Sequence, residues 1–438
     1  MIIHFGTPAL RILYVNATAG LGGAERVLLD LMKACRTALP QAKITLVLFE
    51  DGPLRQLAAQ FVDEILVLPL PDRWAHLGDV GLSQTSPLQS IFYLGKHTLL
   101  GTFSLGKWGR DLRRIVSNLR PDIVHTNGIK AHLLTSLATP RSASIVWHLH
   151  DFLGDRRMAK HLLRLAAPRL TLGLAISEAV KKDFERSVGS RIVEVFPNTV
   201  DTEKFTPQVE GDARIRLGEL SGCVNRGGGR AVNVGLIATY ANWKGHFLFL
   251  DAIAECKRRT PRLHARYFII GGPIYRTHNS QVTRGQLERY VVNLGLQQDV
   301  AFVPFQDAMP EIYSGLDVVV HASIRPEPFG LAILEGMASG KAVISTALGG
   351  AAEVFQNDVE GIALSACDAD SLSAALRRVV GDKILRTELG QHARMAAVER
   401  FNQNQLPERL RAIYLKLLSC AMSSLSNLDY SSKNRGHR

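Results

Sequence analysis

Apolar residues gather in short unbroken runs, and the stretches between them carry apolar positions three and four apart. Runs at Arg11–Asn16, Ile44–Phe49, Glu64–Leu68 and Asp122–Thr126 predict strands buried on both faces. Arg26-Val27-Leu28-Leu29-Asp30-Leu31 carries the helical spacing between the first two. The alternation resumes with Ala231–Ala238, then Tyr267–Ile270, Val300–Phe305, Leu316–Ser323 and Lys341–Thr346. Phe247, Leu248, Leu250, Ile253 and Ala254 give an apolar helix face after the first of these. Two strand–helix series predict two doubly wound α/β domains.

The interruptions are as informative. Between Asp72 and Arg110 the alternation fails, and Ile91, Phe92, Tyr93, Leu94, Leu99, Leu100, Phe103 and Leu105 mix with Lys96, Lys107 and Arg110. So long an insert reads either as an amphipathic element facing a membrane or acceptor, or as a helix on the domain edge. Residues 156–169 (Arg156 to Arg169) predict a basic amphipathic helix, which is a solvated face or a headgroup contact. Gly211, Gly218, Gly222 and Gly227-Gly228-Gly229-Arg230 predict a linker or exposed loop.

Length and composition fit this picture. The chain has 438 residues, 46% hydrophobic and 21% charged, enough for two or three domains. Five scattered cysteines without a C-x-x-C pair argue against a disulfide framework or a zinc site. With neither a signal-peptide pattern nor an 18-residue apolar run, the expectation is a cytoplasmic protein. The net charge of +12 suits acidic small molecules or an anionic membrane surface on the inner face. The absence of zinc-finger and RRM-like motifs argues against nucleic acid.

The candidate chemistry lies at strand ends. Ala17-Thr18-Ala19-Gly20-Leu21-Gly22-Gly23 joins the first strand to its helix, and Gly22 and Gly23 permit a tight turn or a close backbone approach to a ligand. It lacks a full G-x-G-x-x-G, so a nicotinamide enzyme is disfavoured. His125-Thr126-Asn127-Gly128 and Trp147-His148-Leu149-His150-Asp151 each end a strand, where open α/β sheets bind ligands. Ser177 is a candidate helix cap. Lys244 stands at a strand-to-helix junction, where it could neutralise a diphosphate. Gly271-Gly272 ends the next strand.

The densest stretch is Arg325-Pro326-Glu327-Pro328-Phe329-Gly330-Leu331-Ala332-Ile333-Leu334-Glu335. Pro328 keeps Glu327 extended, and Gly330 lets a helix begin, with Glu335 one to two turns in. The free N–H groups of a helix start attract phosphate, and the flanking carboxylates can accept from sugar or ribose hydroxyls. Asp368-Ala369-Asp370 has the D-x-D form of metal-dependent transferases but reads as the N-cap of a helix.

Strand, proline-flanked glutamate, Phe-Gly, second glutamate and Gly349-Gly350 occur in the order of the E-x7-E signature of retaining glycosyltransferases of family 4. The chain resembles that family from about Arg11 to Leu418. The resemblance implies the GT-B fold, an α/β architecture of two Rossmann-like domains facing across a cleft. Residues 1–200 would form the acceptor-side domain and 201–400 the donor domain. Residues 401–422 would be a C-terminal helix packing back towards the N-terminal domain, and 423–438 a disordered tail. The implied activity moves a sugar from a nucleotide-diphosphate donor to a glycan or lipid-linked acceptor, with no metal or other cofactor. His150, Glu327 and Lys244 would be catalytic. Gly22, Gly23, Asn198, Thr239, Lys244, Gly272, Phe329, Gly330, Leu331 and Glu335 would hold the donor. His125 is expected to orient a loop. Val195-Phe196-Pro197-Asn198-Thr199-Val200-Asp201 is similar to the family's Pro-Asn-Gly-Val-Asp hinge, with Thr199 for glycine. Thr239 stands where members often carry an arginine, a lost charge that Arg325 or Arg276 would have to replace. The rivals are a non-catalytic nucleotide-sugar-binding protein and a GT-B nucleotide-sugar epimerase.

Overall fold

The structure, a computed structural model, describes residues 9–71, 104–154, 156–207, 211–222, 231–273, 281–306 and 308–433. The chain divides into two compact units, Met1–Phe196 with Gln405–Arg438, and Pro197–Asn404.

The first unit holds seven strands: β1 (Arg11–Asn16), β2 (Lys43–Leu48), β3 (Glu64–Val67), β4 (Ile123–Asn127), β5 (Ser144–Leu149), β6 (Leu172–Ala175) and β7 (Val193–Val195). All pair in parallel, in the order β3-β2-β1-β4-β5-β6-β7. Their continuous apolar runs follow from coverage on both faces. Each of β1, β2, β4 and β5 is buried along most of its length. The order reverses between β1 and β4, which makes their carboxyl ends the switch point where such sheets bind ligands.

Helix Gly23–Ala38 follows β1, and the last helix, Leu406–Lys433, packs along it. Tyr414 of that last helix is fully buried, its hydroxyl 2.9 Å from Tyr14 Oη and 2.8 Å from His125 Nδ1. The expected disordered tail is helical as far as Lys433. Apolar positions at Leu417, Leu418, Ala421, Met422, Leu425 and Leu428 keep helical spacing through it. Of the 72–110 insert, residues 72–103 lie outside the described residues. A helix over 104–119 contains the rest, with Trp108 buried edge-on against Phe49 and donating to the Leu68 carbonyl (3.2 Å).

The second unit has six parallel strands: β8 (Val232–Ile237), β9 (Ala265–Ile270), β10 (Val300–Val303), β11 (Val318–His321), β12 (Ala342–Ser345) and β13 (Ile362–Ala363). Their order, β10-β9-β8-β11-β12-β13, repeats that of a dinucleotide-binding sheet, with its reversal between β8 and β11. Part of the expected linker is a helix instead, Gly211–Ser221. Leu217 is buried and Arg214 pairs with Asp317 at 2.5 Å, so packing and an ion pair hold it despite its glycines. Residues 223–230 lie outside the described residues.

Candidate functional site

In the second unit, the loops leaving β8 and β11 meet at the switch point. A 3-10 turn, Asn242–Lys244, ends at Gly245, whose φ is +73°. A Cβ there would stand 1.8 Å from the Ala322 carbonyl oxygen, so only glycine lets the two loops approach this closely. The Ile324 N–H donates to the Trp243 carbonyl (2.8 Å) across the same junction.

This contact brings Lys244 onto Glu327. The ammonium nitrogen is 2.8 Å from each carboxylate oxygen. Ser323 Oγ donates to Oε2 (2.8 Å), and His321 Nε2 lies 3.5 Å from it. The Glu327 backbone is fixed as well, donating to the Leu348 carbonyl (3.0 Å) and accepting from the Gly350 N–H (2.8 Å). Burial alone would raise the Glu327 carboxyl; Lys244 and the hydrogen bond from His321 outweigh it and hold the group well below the usual carboxylate range. The result is an ionised carboxylate paired with a lysine just past two strand ends, both side chains partly exposed.

Past Pro328 the chain turns at Gly330 (φ +101°) into helix Leu331–Ala338. Its first N–H groups have no intrahelical acceptor, as at every helix start. Glu335 lies in the second turn, half-buried. The Phe329 ring is buried edge-on against Phe401, 6.0 Å between centroids, so the main chain is the part of this residue that can meet a ligand. Gly271 (φ +138°) presses on the Ala238 carbonyl, and the Tyr240 N–H donates to Gly272 O (3.0 Å). Thr239 and Gly272 thus belong to one loop cluster. Thr239 Oγ1 and Asn198 Oδ1 are shielded from solvent and have no hydrogen-bond partner among the described residues. Arg325 is exposed, and Arg276 lies outside the described residues.

His150, Gly22 and Gly23 belong to the first unit. Gly22 precedes helix Gly23–Ala38, and a Cβ on it would meet Glu25 Oε2 at 2.7 Å. Asn16 and Asn127, the last residues of β1 and β4, are direct register partners at the switch point. Asn127 Nδ2 donates to Asn16 Oδ1 (3.0 Å), and Asn16 Nδ2 donates to the Thr18 carbonyl (2.7 Å). Thr18 Oγ1 in turn donates to Glu25 Oε1 (2.5 Å). His150, one residue past β5, joins this chain through Nε2, 2.6 Å from Asn127 Oδ1.

Beneath His150 lies a layer of buried histidines. The His148 ring is 4.2 Å from that of His150 and 5.5 Å from that of His125, and neither His148 nitrogen has a partner among the described residues. His132 stacks on Trp147 at 5.2 Å. Burial pushes all four rings towards the neutral form, His125 to about 3 and His150 to about 4, with Asp151 partly opposing it at His150. His125 is bound to buried Tyr414, so it supports the core rather than orienting a loop.

The basic segment forms helix Arg157–Ala166 and a 3-10 turn to Arg169. Met158, Leu162 and Leu165 are exposed, Leu165 at 75%, beside exposed Arg157, His161 and Arg164. Asp368 caps helix Ala369–Gly381 by accepting from the Ser371 N–H (2.8 Å), and Asp370 pairs with Arg259. Ser177 likewise caps Glu178–Val188. Among the described residues no group of acidic, histidine or cysteine side chains could hold a metal ion, and no helix is long and apolar enough to cross a membrane.

Sequence reasoning gave no role to Asn16, His321 or Ser323, and named Asn127 only as part of a strand-end run. Each is polar and sits at or just past the end of a strand flanking a sheet reversal. That signal becomes readable only once strand order is known.

Comparison with known proteins identifies the domains and the fold. The Glycosyltransferase Family 4 model matches residues 21–204, and the Glycosyl transferases group 1 model matches residues 233–396. D-inositol 3-phosphate glycosyltransferase of Corynebacterium urealyticum is 29% identical over 235 residues, 52% of either chain. The UDP-Gal:alpha-D-GlcNAc-diphosphoundecaprenol alpha-1,3-galactosyltransferase of Escherichia coli is 24% identical over 319 residues, covering 70% of this chain and 78% of that one. This chain spans about half the length of the first curated relatives it matches. HepE of Anabaena, solved with UDP and with UDP-glucose, has TM-scores of 0.73 and 0.72 at 22% identity, over 93% of this chain and 100% of that one. The shared fold is GT-B, with two Rossmann-like α/β domains.

Proposed function

This chain belongs to the family 4 glycosyltransferases, and from that premise we propose that it moves a sugar from a nucleotide-diphosphate donor to a glycan or lipid-linked acceptor, with retention, in cell-surface polysaccharide synthesis. The observation that carries the reading is the Lys244–Glu327 pair at the second unit's switch point, next to the start of helix Leu331–Ala338. A departing diphosphate gains most from charge and donors already aimed at it. Lys244 and the N–H groups of Leu331 and Ala332 would supply both. Glu327 would accept from sugar hydroxyls and Glu335 from the ribose. His150 is assigned to the sugar on the family resemblance alone. With no protein nucleophile assigned, attack would come from the face the diphosphate leaves, a phosphate oxygen taking the acceptor proton.

The names of the relatives support a sugar-transfer chemistry, one of them on a diphosphoundecaprenol-linked acceptor. The neighbour solved with UDP and UDP-glucose supports a nucleotide-sugar donor. A lipid-linked acceptor would bring the protein to the inner membrane surface. The exposed Met158, Leu162 and Leu165 beside basic residues suit peripheral contact with anionic lipid there.

The test is a panel of nucleotide sugars incubated with glycan and lipid-linked acceptors, read by release of nucleoside diphosphate and by the anomeric configuration of the product. Acceptor-dependent release with retained configuration is the expected result. Tight donor binding without release would make the protein a binding module. Conversion of the donor without an acceptor would make it an epimerase.

A further inference from the structure

The hydrogen-bond direction at the first unit's switch point follows from its fixed ends. The Thr18 carbonyl oxygen can only accept, so the Asn16 atom 2.7 Å away is its amide nitrogen. The Asn16 oxygen then faces Asn127 at 3.0 Å, so the Asn127 atom there donates. A second backbone carbonyl, of Ala24, lies 3.4 Å from that same Asn127 nitrogen and requires the same orientation. What remains of Asn127 is its carbonyl oxygen, 2.6 Å from His150 Nε2. An amide oxygen cannot donate, so Nε2 carries the proton.

We propose that Asn127 is a positioning residue that holds His150 as the Nε2–H tautomer, leaving Nδ1 to accept a hydrogen bond from a ligand hydroxyl. Nδ1 has no hydrogen-bond partner among the described residues. The groups around the ring discourage a second proton. The His148 ring lies 4.2 Å away with His125 behind it, and the nearby acid, Asp151, is exposed and 3.6 Å from Arg156. Burial accordingly lowers the His150 pKa to about 4. A neutral ring of this tautomer has no donor for a phosphate or carboxylate oxygen; its free lone pair suits an O–H group. The choice of a sugar hydroxyl as that group rests on the proposed function. The tautomer does not.

The experiment is a long-range proton–nitrogen correlation spectrum of the full chain labelled with nitrogen-15 in its histidine rings, with His150 identified by signal loss in His150→Gln. The wild type at neutral pH should have the Nε2–H pattern with an unprotonated Nδ1. An Nδ1–H pattern would overturn the proposal. Asn127→Ala should lose the single tautomer and give a mixture, and an unchanged pattern would count against Asn127. If that variant does not fold, Asn127→Asp decides. It should keep Nε2–H and raise the His150 titration midpoint by about one pH unit or more, and an unmoved midpoint refutes the coupling. Inorganic phosphate should leave the wild-type Nδ1 signal in place; protonation of Nδ1 on adding phosphate would remove the hydroxyl assignment. No readout depends on turnover, so a failure of sugar transfer and a failure of the tautomer are seen separately.

Discussion

Lys244 and Glu327 are bound head-on, the ammonium nitrogen 2.8 Å from both carboxylate oxygens, although 83 residues separate them in sequence. The side chains are 21% and 16% exposed, so removing one leaves the other mostly desolvated and unpaired. A fully buried pair costs about 3–5 kcal/mol to break this way. With part of the pair still wet, Lys244→Ala should cost about 2 kcal/mol in urea unfolding. Adding Glu327→Gln should recover part of it. If Lys244 also steadies the leaving diphosphate, kcat should fall about 10²- to 10³-fold, and Glu327→Gln should not restore that loss.

The junction that holds the pair makes its own prediction. Gly245→Ala would set a Cβ 1.8 Å from a backbone oxygen at φ +73°. The left-handed backbone alone costs about 1–2 kcal/mol, and the clash forces the loop off Ala322. Thermal and urea unfolding should register a loss of about 3 kcal/mol or more, with donor affinity falling in parallel.

The histidine layer sets the response to acid. His125 and His150 titrate at about 3 and about 4 in the folded chain, and His132 and His148 also lie well below the ordinary value. The unfolded chain takes up these protons near pH 6.5, the folded chain only far lower. Below about pH 6.5 the unfolded state therefore binds more protons, and stability falls with pH until the folded-state values are reached. The slope should approach about 1.4 kcal/mol per pH unit for each histidine involved. Urea titrations between pH 7 and 5 should find it, and His148→Phe should reduce it by about one histidine's share. Glu327, whose pKa is lowered on folding, acts in a different window. Its contribution is complete above the ordinary carboxylate value and is lost only below about pH 4.

Glu335 is assigned to the ribose, so its removal should weaken donor binding more than it slows the chemical step. Glu335→Ala should raise the donor KM about 10- to 100-fold, the worth of one or two hydrogen bonds to a charged group. Steady-state kinetics with the preferred donor measures it. An unchanged donor KM would refute the role.

The exposed face of helix Arg157–Ala166 gives the last prediction. Leu165→Glu places a charge at its most exposed apolar position without touching the buried Leu163 and Ala166. Co-sedimentation with vesicles containing anionic lipid should drop about tenfold, as expected when apolar insertion is replaced by like-charge repulsion. Soluble-acceptor activity should stay unchanged.

The sequence was most legible where one physical rule acted alone. Unbroken apolar runs located the strands at Arg11, Asp122, Ala231 and Leu316 to within a residue or two. Ser177 and Asp368 read correctly as caps because an N-cap is a local bond. Errors came where tertiary packing outweighed local preference. The glycines at 211, 218 and 222 argued for a loop, yet Leu217 and the Arg214–Asp317 pair hold a helix there. The packing of the Phe329 ring on Phe401 was equally invisible in the local stretch. Lys244 and Glu327 were each singled out, but not their direct contact. Nothing in either local stretch encodes which strand lies beside which.

The route of the chain bears on the order in which it can fold during synthesis. Residues 197–404 form one uninterrupted unit that can close as soon as it leaves the ribosome, whereas the unit begun by the first strand needs the last helix to cover Tyr14 and His125 through Tyr414. The earliest-made half is thus the last to be finished, and until then its apolar face is open to chaperones or to aggregation. A stop codon near residue 405 would spare the middle of the protein and leave its beginning permanently incomplete.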